Sequence, residues 1–166
     1  MQKLLASFLI LLFVTGCGYM PASKQARKIV GDRLFVEVTV SLEDPENAVL
    51  IKDATRKAVV TRFHSSLVPQ AQARTELRVV LDKVGFSALQ YDKNGFVVVY
   101  RTNLTLKVTR TTKDVEKHYT ALGTNDFNIK PNAVITDAER FDSIRDASLK
   151  ALDSFIAQVG AEGSRL

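Results

Sequence analysis

Apolar and polar positions alternate with period two along RLFVEVTVSL, residues 33–42. Leu34, Val36, Val38, Val40 and Leu42 fall on one side, and Phe35, Glu37, Thr39 and Ser41 on the other, as in a half-buried strand. The period then becomes helical over DPENAVLIKDATRKAVVTRF. Asp44 can cap this helix and Pro45 suits its first position. Ile51, Ala54, Thr55, Ala58, Val59 and Phe63 form its apolar stripe, with Lys52, Arg56 and Lys57 away from the stripe's centre. Alternation returns over 75–91, with Leu77, Val79 and Leu81 on one face, and its phase slips where Val84 and Phe86 take over. A bulge near Lys83–Gly85 accounts for the slip.

Asn94-Gly95 predicts a tight hairpin turn into a long strand over 96–110, whose apolar side holds Val98, Tyr100, Leu104, Leu106 and Val108. Thr112 to Asp114 turns the chain again, and VEKHYTALGTNDF supplies a fourth strand with Val115, Tyr119 and Ala121 on its apolar side. Thr136-x-x-Glu139 is a capping box for a last helix. Its stripe is Phe141, Ile144, Ser148, Ala151, Leu152, Phe155 and Val159, with Gly160 as the expected stop. The order strand, helix, three strands, helix predicts an α+β two-layer sandwich: about four mostly antiparallel strands with two helices on one face. A chain of 166 residues fits one such domain, expected over 33–166.

The N-terminal residues follow neither period. Lys3 precedes an apolar run from Leu4 to Val14, too short for the ~20 residues that a spanning helix needs. Length and flanks match the apolar region of an export signal, so residues 1–16 are expected to be a signal peptide. Val14-Thr15-Gly16-Cys17 resembles a bacterial lipobox, in which the cysteine thiol is lipidated and becomes the first residue after cleavage. Cys17 is the only cysteine, so an internal disulfide and a multi-cysteine zinc site are both excluded. Gly18, where aspartate would mark inner-membrane retention, favours the outer membrane, with the protein lipid-anchored on the periplasmic side. Residues 17–32 show no sustained period and contain Pro21, Gly18 and Gly31; they are expected to be a lipidated tether.

Little in the chain suits catalysis. Its two histidines, His64 and His118, lie far apart on a helix end and on a polar strand face, and no glycine-rich phosphate loop precedes a helix. A non-enzymatic protein without metal or cofactor is expected. The net charge of +5 is unevenly spread. Residues 93–113 hold Lys93, Arg101, Lys107, Arg110 and Lys113 and no acidic residue. Arg101 and Lys107 alternate with Asn103 and Thr105 opposite Tyr100 and Leu104, and Val97 and Val99 share their side. This pattern fits a basic surface for an anionic partner, and it fits equally a solvated face whose cations deter edge pairing. A protein exported behind a lipobox meets lipid or glycolipid phosphate rather than nucleic acid.

The GCGY ending of the lipobox, the order of elements and the DPENAVLIKDA opening of the first helix together resemble the lipopolysaccharide-assembly outer-membrane lipoproteins, the LptE family. The resemblance implies a plug and assembly partner of a large outer-membrane β-barrel, the lipopolysaccharide translocon subunit, with lipopolysaccharide itself as a ligand and no covalent chemistry. From strand geometry alone, Arg101, Lys107 and Arg78 are the candidate lipopolysaccharide-binding residues. The alternative is another periplasm-facing lipoprotein, serving as a transporter accessory or envelope-binding module.

Overall fold

The computed structural model describes residues 21–40, 49, 52–53, 55–57, 59–113, 115–130 and 133–165. The leader over 1–16, Cys17, the Asp44–Pro45 cap, and Leu42, Ile51, Ala54 and Ala58 lie outside the described residues.

Helix α1 (Ala22–Val30) leads into strand β1 (Arg33–Val40). A connection follows that is helical at 49, 52–53 and 55–57 and ends in a π-helical turn, Val59–Phe63. Then come β2 (Ser66–Leu67), a 3-10 turn (Gln70–Gln72), the long strands β3 (Thr75–Tyr91), β4 (Val97–Thr112) and β5 (Val115–Asn128), and helix α2 (Asp137–Gly163). The sheet is five-stranded with order β2-β1-β3-β4-β5. β3, β4 and β5 form an antiparallel meander, and β1 runs parallel to both its neighbours.

The α+β class stands, and three details depart from expectation. The sheet is mixed, because a parallel β1–β3 pair needs a crossover and the helical connection supplies it. A fifth strand, β2, is only two residues long, too short to show alternation. It is held to β1 through Ser66 N–H donating to Asp32 O and Val68 N–H to Leu34 O, and so covers the outer edge of β1. The third departure is α1, where a tether was expected. Pro21 and Gly31 bracket it as start and stop: Gly31 lies at φ +86°, and its N–H donates to Arg27 O at 2.8 Å. Its apolar face is only Ala26, Ile29 and Val30, too short a stripe to stand out among three cations.

The expected strand phases hold. Leu34, Leu77, Val79, Leu81, Leu104, Leu106, Val108 and Ala121 are buried on one sheet face. The β3–β4 register shifts between Leu81 and Lys83, at the expected bulge. α2 lies across β4 and β5 on that face, and its capping box forms: Glu139 N–H donates to Thr136 Oγ1, and Thr136 N–H to Glu139 Oε2 at 2.9 Å. Phe155 sits edge-on to both Phe63 and Tyr119, with ring centroids 6.1 and 5.2 Å away, at the centre of the core.

Glycines set how closely the helices approach. A Cβ on Gly123 of β5 would stand inside the backbone of α2 at Ala147 and Ala151. A Cβ on Gly163 would come within 2.7 Å of the Gln25 carbonyl of α1. α2 passes through Gly160, the expected stop, which is buried in packing, and ends three residues later at Gly163. Small Ser143, Ala147, Ser148 and Ala151 continue this close contact, and the buried hydroxyls of Thr102 and Ser143 bond each other.

One charged cluster is built into the helix–sheet seam. Arg110, only 7% exposed, donates to Glu162 Oε1 at 3.0 Å and to Tyr119 Oη at 3.1 Å. Tyr119 O–H donates to Glu162 Oε2 at 2.8 Å, and Lys117 pairs with the same carboxylate. Burial opposes ionisation of Glu162, but hydrogen bonds from Lys117 and Tyr119 and the Arg110 charge outweigh it and hold its pKa below the usual value. Burial, and then the bond to Glu162, push the Tyr119 phenol up to about 12. In an ultraviolet pH titration one tyrosine is expected to ionise only near that value, and Glu162→Gln should lower it in part, since burial remains. If no tyrosine ionises that late, Tyr119 is not held in this way.

Candidate functional site

Among the described residues one side of the sheet carries no helix. α1, α2 and the buried Thr55 and Phe63 of the connection belong to the other, core side. Register fixes what that open face carries. Glu37, Arg78 and Thr109 stand in one row, Val80, Lys107 and Thr120 in another, and Ser87, Arg101 and Asp126 in a third. Arg78, Arg101 and Lys107 thus share the face, as their spacing predicts. The structure does not bring them to one point: Arg101 and Lys107 are six residues apart on β4, roughly 20 Å.

Each of the three is already partnered. Arg101 makes a two-pronged pair with Asp126 on β5, Nε to Oδ1 at 2.7 Å and Nη2 to Oδ2 at 2.8 Å. Lys107 Nζ donates to Asp82 Oδ1 at 2.7 Å, and Arg78 Nε to Glu37 Oε2 at 3.0 Å. The hydrogen bond from Arg101 holds the Asp126 carboxyl below its usual pKa. These pairs are exposed and contribute little to stability; their larger effect is to pin register between neighbouring strands. Counted with its acids, the face is not cationic. Arg33, Arg78, Lys83, Arg101 and Lys107 share it with Glu37, Glu76, Asp82, Glu116 and Asp126. It carries threonine, asparagine and cross-strand ion pairs together with the apolar Phe35, Val80, Val97, Val99 and an exposed Leu122.

His118 also lies on the open face, exposed, with Nδ1 3.2 Å from Thr109 Oγ1 and Nε2 3.2 Å from Glu116. His64 is exposed beside the π-helical turn at φ +53°. The two do not meet. Among the described residues no three of His, Cys, Asp or Glu come together as metal ligands.

Sequence reasoning missed a second surface at the far end of the core side. Phe127 stacks on Tyr100 and meets Phe86 edge-on, at ring-centroid distances of 6.1 and 6.2 Å. The Arg140 guanidinium lies 5.2 Å from the Phe86 ring centre. Beside them is a concavity of about 450 Å³ lined by Tyr100, Ala133, Val134, Ile135, Asp137 and Arg140. The β3–β4 hairpin continues past this point and exposes Leu89, Tyr91 and Phe96. Tyr100 was legible on the apolar side of its strand. Arg140 was not, because a cation in the first turn of a helix carries no pattern of its own.

A family model described as "LptE: Lipopolysaccharide-assembly" matches residues 34–159. Solved structures share the fold. The rare lipoprotein B of Shewanella oneidensis is 16% identical, with 79% of this chain and 96% of that one covered and a TM-score of 0.50. A putative lipoprotein from Caulobacter crescentus is 8% identical, with 87% and 96% covered and a TM-score of 0.53. Comparison with the curated proteins finds no match.

Proposed function

The chain belongs to the LptE family of lipopolysaccharide-assembly proteins, and from that membership we propose that it is a non-enzymatic lipoprotein subunit of the outer-membrane lipopolysaccharide translocon. It is held to the membrane through Cys17 and acts as plug and assembly partner of a β-barrel. The observation that carries this reading is the open sheet face. It is long, mostly polar and internally charge-compensated, and so suits the water-filled, polar interior of a wide transmembrane barrel. Contact with lipopolysaccharide falls to phosphate exchanging with the carboxylate partners of Arg101, Lys107 and Arg78.

Pull-down of the mature protein from detergent-solubilised membranes is expected to recover a large β-barrel protein. Depleting the protein should lower both that barrel and surface lipopolysaccharide. A free monomer in the pull-down, or a phenotype confined to one solute transporter, would instead make it an accessory lipoprotein of another system. Reversing charge at Arg101 and Lys107 together is expected to weaken lipopolysaccharide binding by about tenfold while the melting temperature moves by only a few degrees, since exposed pairs contribute little. Unchanged binding would return both residues to register-pinning alone.

A further inference from the structure

Cations without a carboxylate partner occur in several places, Lys93 in the hairpin turn and Arg140 over Phe86 among them, and one group of them lies on α1, at the other end of the molecule from the aromatic hairpin. Lys24, Arg27 and Lys28 are exposed on α1 at helical spacing that puts them on one stripe, opposite the buried Ala26 and Val30. None of them forms an ion pair among the described residues, in contrast to Arg78, Arg101 and Lys107. Arg74 donates its backbone N–H to Arg33 O at 3.0 Å and lays its side chain over Gly31, with Cδ 3.3 Å from where a Cβ would stand. From Gly18 to Val36 the sole acid is Asp32. Arg27 and Lys28 lie in the last turn of α1, where a helix favours positive charge, but Lys24 lies outside that turn.

We propose that the cationic stripe of α1, extended by Arg74, is a docking surface for anionic phospholipid headgroups of the bilayer that holds Cys17. The proposal rests on the lipoprotein reading, because covalent geometry then decides the distance. Five residue steps separate Cys17 from Ala22, so the helix cannot begin farther than about 18 Å from the lipidated residue. The stripe is presented rigidly: α1 is locked onto α2 where Gly163 meets the Gln25 carbonyl. An exposed cluster with no internal counter-charge and a short leash to a membrane is electrostatically complementary to an anionic leaflet. Docking there would fix the tilt of the whole domain, which a lipid anchor by itself leaves free.

The test uses the full-length mature protein with Ser23→Cys labelled by bimane. Lipidated Cys17 takes no label, so a single label per chain reports the anchor. The protein is reconstituted into vesicles that carry a headgroup nitroxide quencher, either phosphatidylcholine alone or with about 30 mol % phosphatidylglycerol. Quenching is expected to be about threefold greater in the anionic vesicles. It should fall to the neutral level in ~0.5 M NaCl and in Lys24→Glu/Arg27→Glu/Lys28→Glu, whose circular dichroism stays unchanged because all three side chains are exposed. Equal quenching in both vesicle types, or quenching that survives the triple reversal, would overturn the proposal. Two labels per chain would mean that Cys17 is free and the lipoprotein reading has failed. Sedimentation then decides for the helix: pelleting with anionic but not neutral vesicles supports it, and a chain left in the supernatant overturns it.

Discussion

Replacing Gly123 by valine is expected to lower the stability of the fold by about 3 kcal/mol, the upper part of the range for overpacking a dense contact. The atom a side chain would displace is not the tip of a flexible group. It is the backbone of α2 at Ala147 and Ala151, in the middle of a regular helix. α2 would have to lift from β5 and lose the packing of Ile144, Ala147, Ala151 and Phe155 against the sheet. Gly123 is not at positive φ, so its role is to leave space. Gly85 is the control. It lies in the bulged part of β3, also without positive φ, and a Cβ there would meet nothing within 4 Å. Gly85→Ala should change stability by no more than about 0.5 kcal/mol. Thermal melts separate the two: a fall of roughly 6–12 °C for Gly123→Val and nearly none for Gly85→Ala. A wild-type melting temperature for Gly123→Val would mean that α2 does not sit this close to β5.

The second large effect is expected at Glu162. Glu162→Gln leaves the Arg110 guanidinium buried without its counter-charge. The cost is set at about 2 kcal/mol, below the range for a fully buried pair, because 23% of the Glu162 side chain stays in contact with water and glutamine still accepts a hydrogen bond. The pH dependence identifies the cause. The pKa of Glu162 is lowered by folding from its ordinary 4.5. Its contribution is therefore fully present above that value and is lost as the pH falls through the lower folded-state value. The melting temperatures of wild type and Glu162→Gln should differ most near neutrality and converge in acid. A constant gap from pH 7 to pH 3 would show that packing, not the charge network, is what the variant loses.

Much of the fold was legible along the chain because the information is local. The faces of β1, β3 and β4 followed from period-two alternation, the bulge from its slip of phase, and the α2 start from a four-residue capping box. α1 was hidden because nine residues carry barely one apolar stripe, and its bracketing Pro21 and Gly31 are also linker residues. The parallel pairing of β1 was implicit in a helix between two strands, but alternation says nothing about strand direction.

What the sequence determined by itself was which face each cation would occupy: Arg78, Arg101 and Lys107 do lie together on the open side of the sheet. Whether those cations were free was decided only by tertiary structure. Their carboxylate partners come from other strands, at separations of 41 residues for Glu37, 25 for Asp126 and 25 for Asp82. A count of local charge cannot contain that pairing, because strand order and register choose it. The same long-range packing leaves the stripe on α1 without counter-charge, in a segment whose own composition suggested a mere linker.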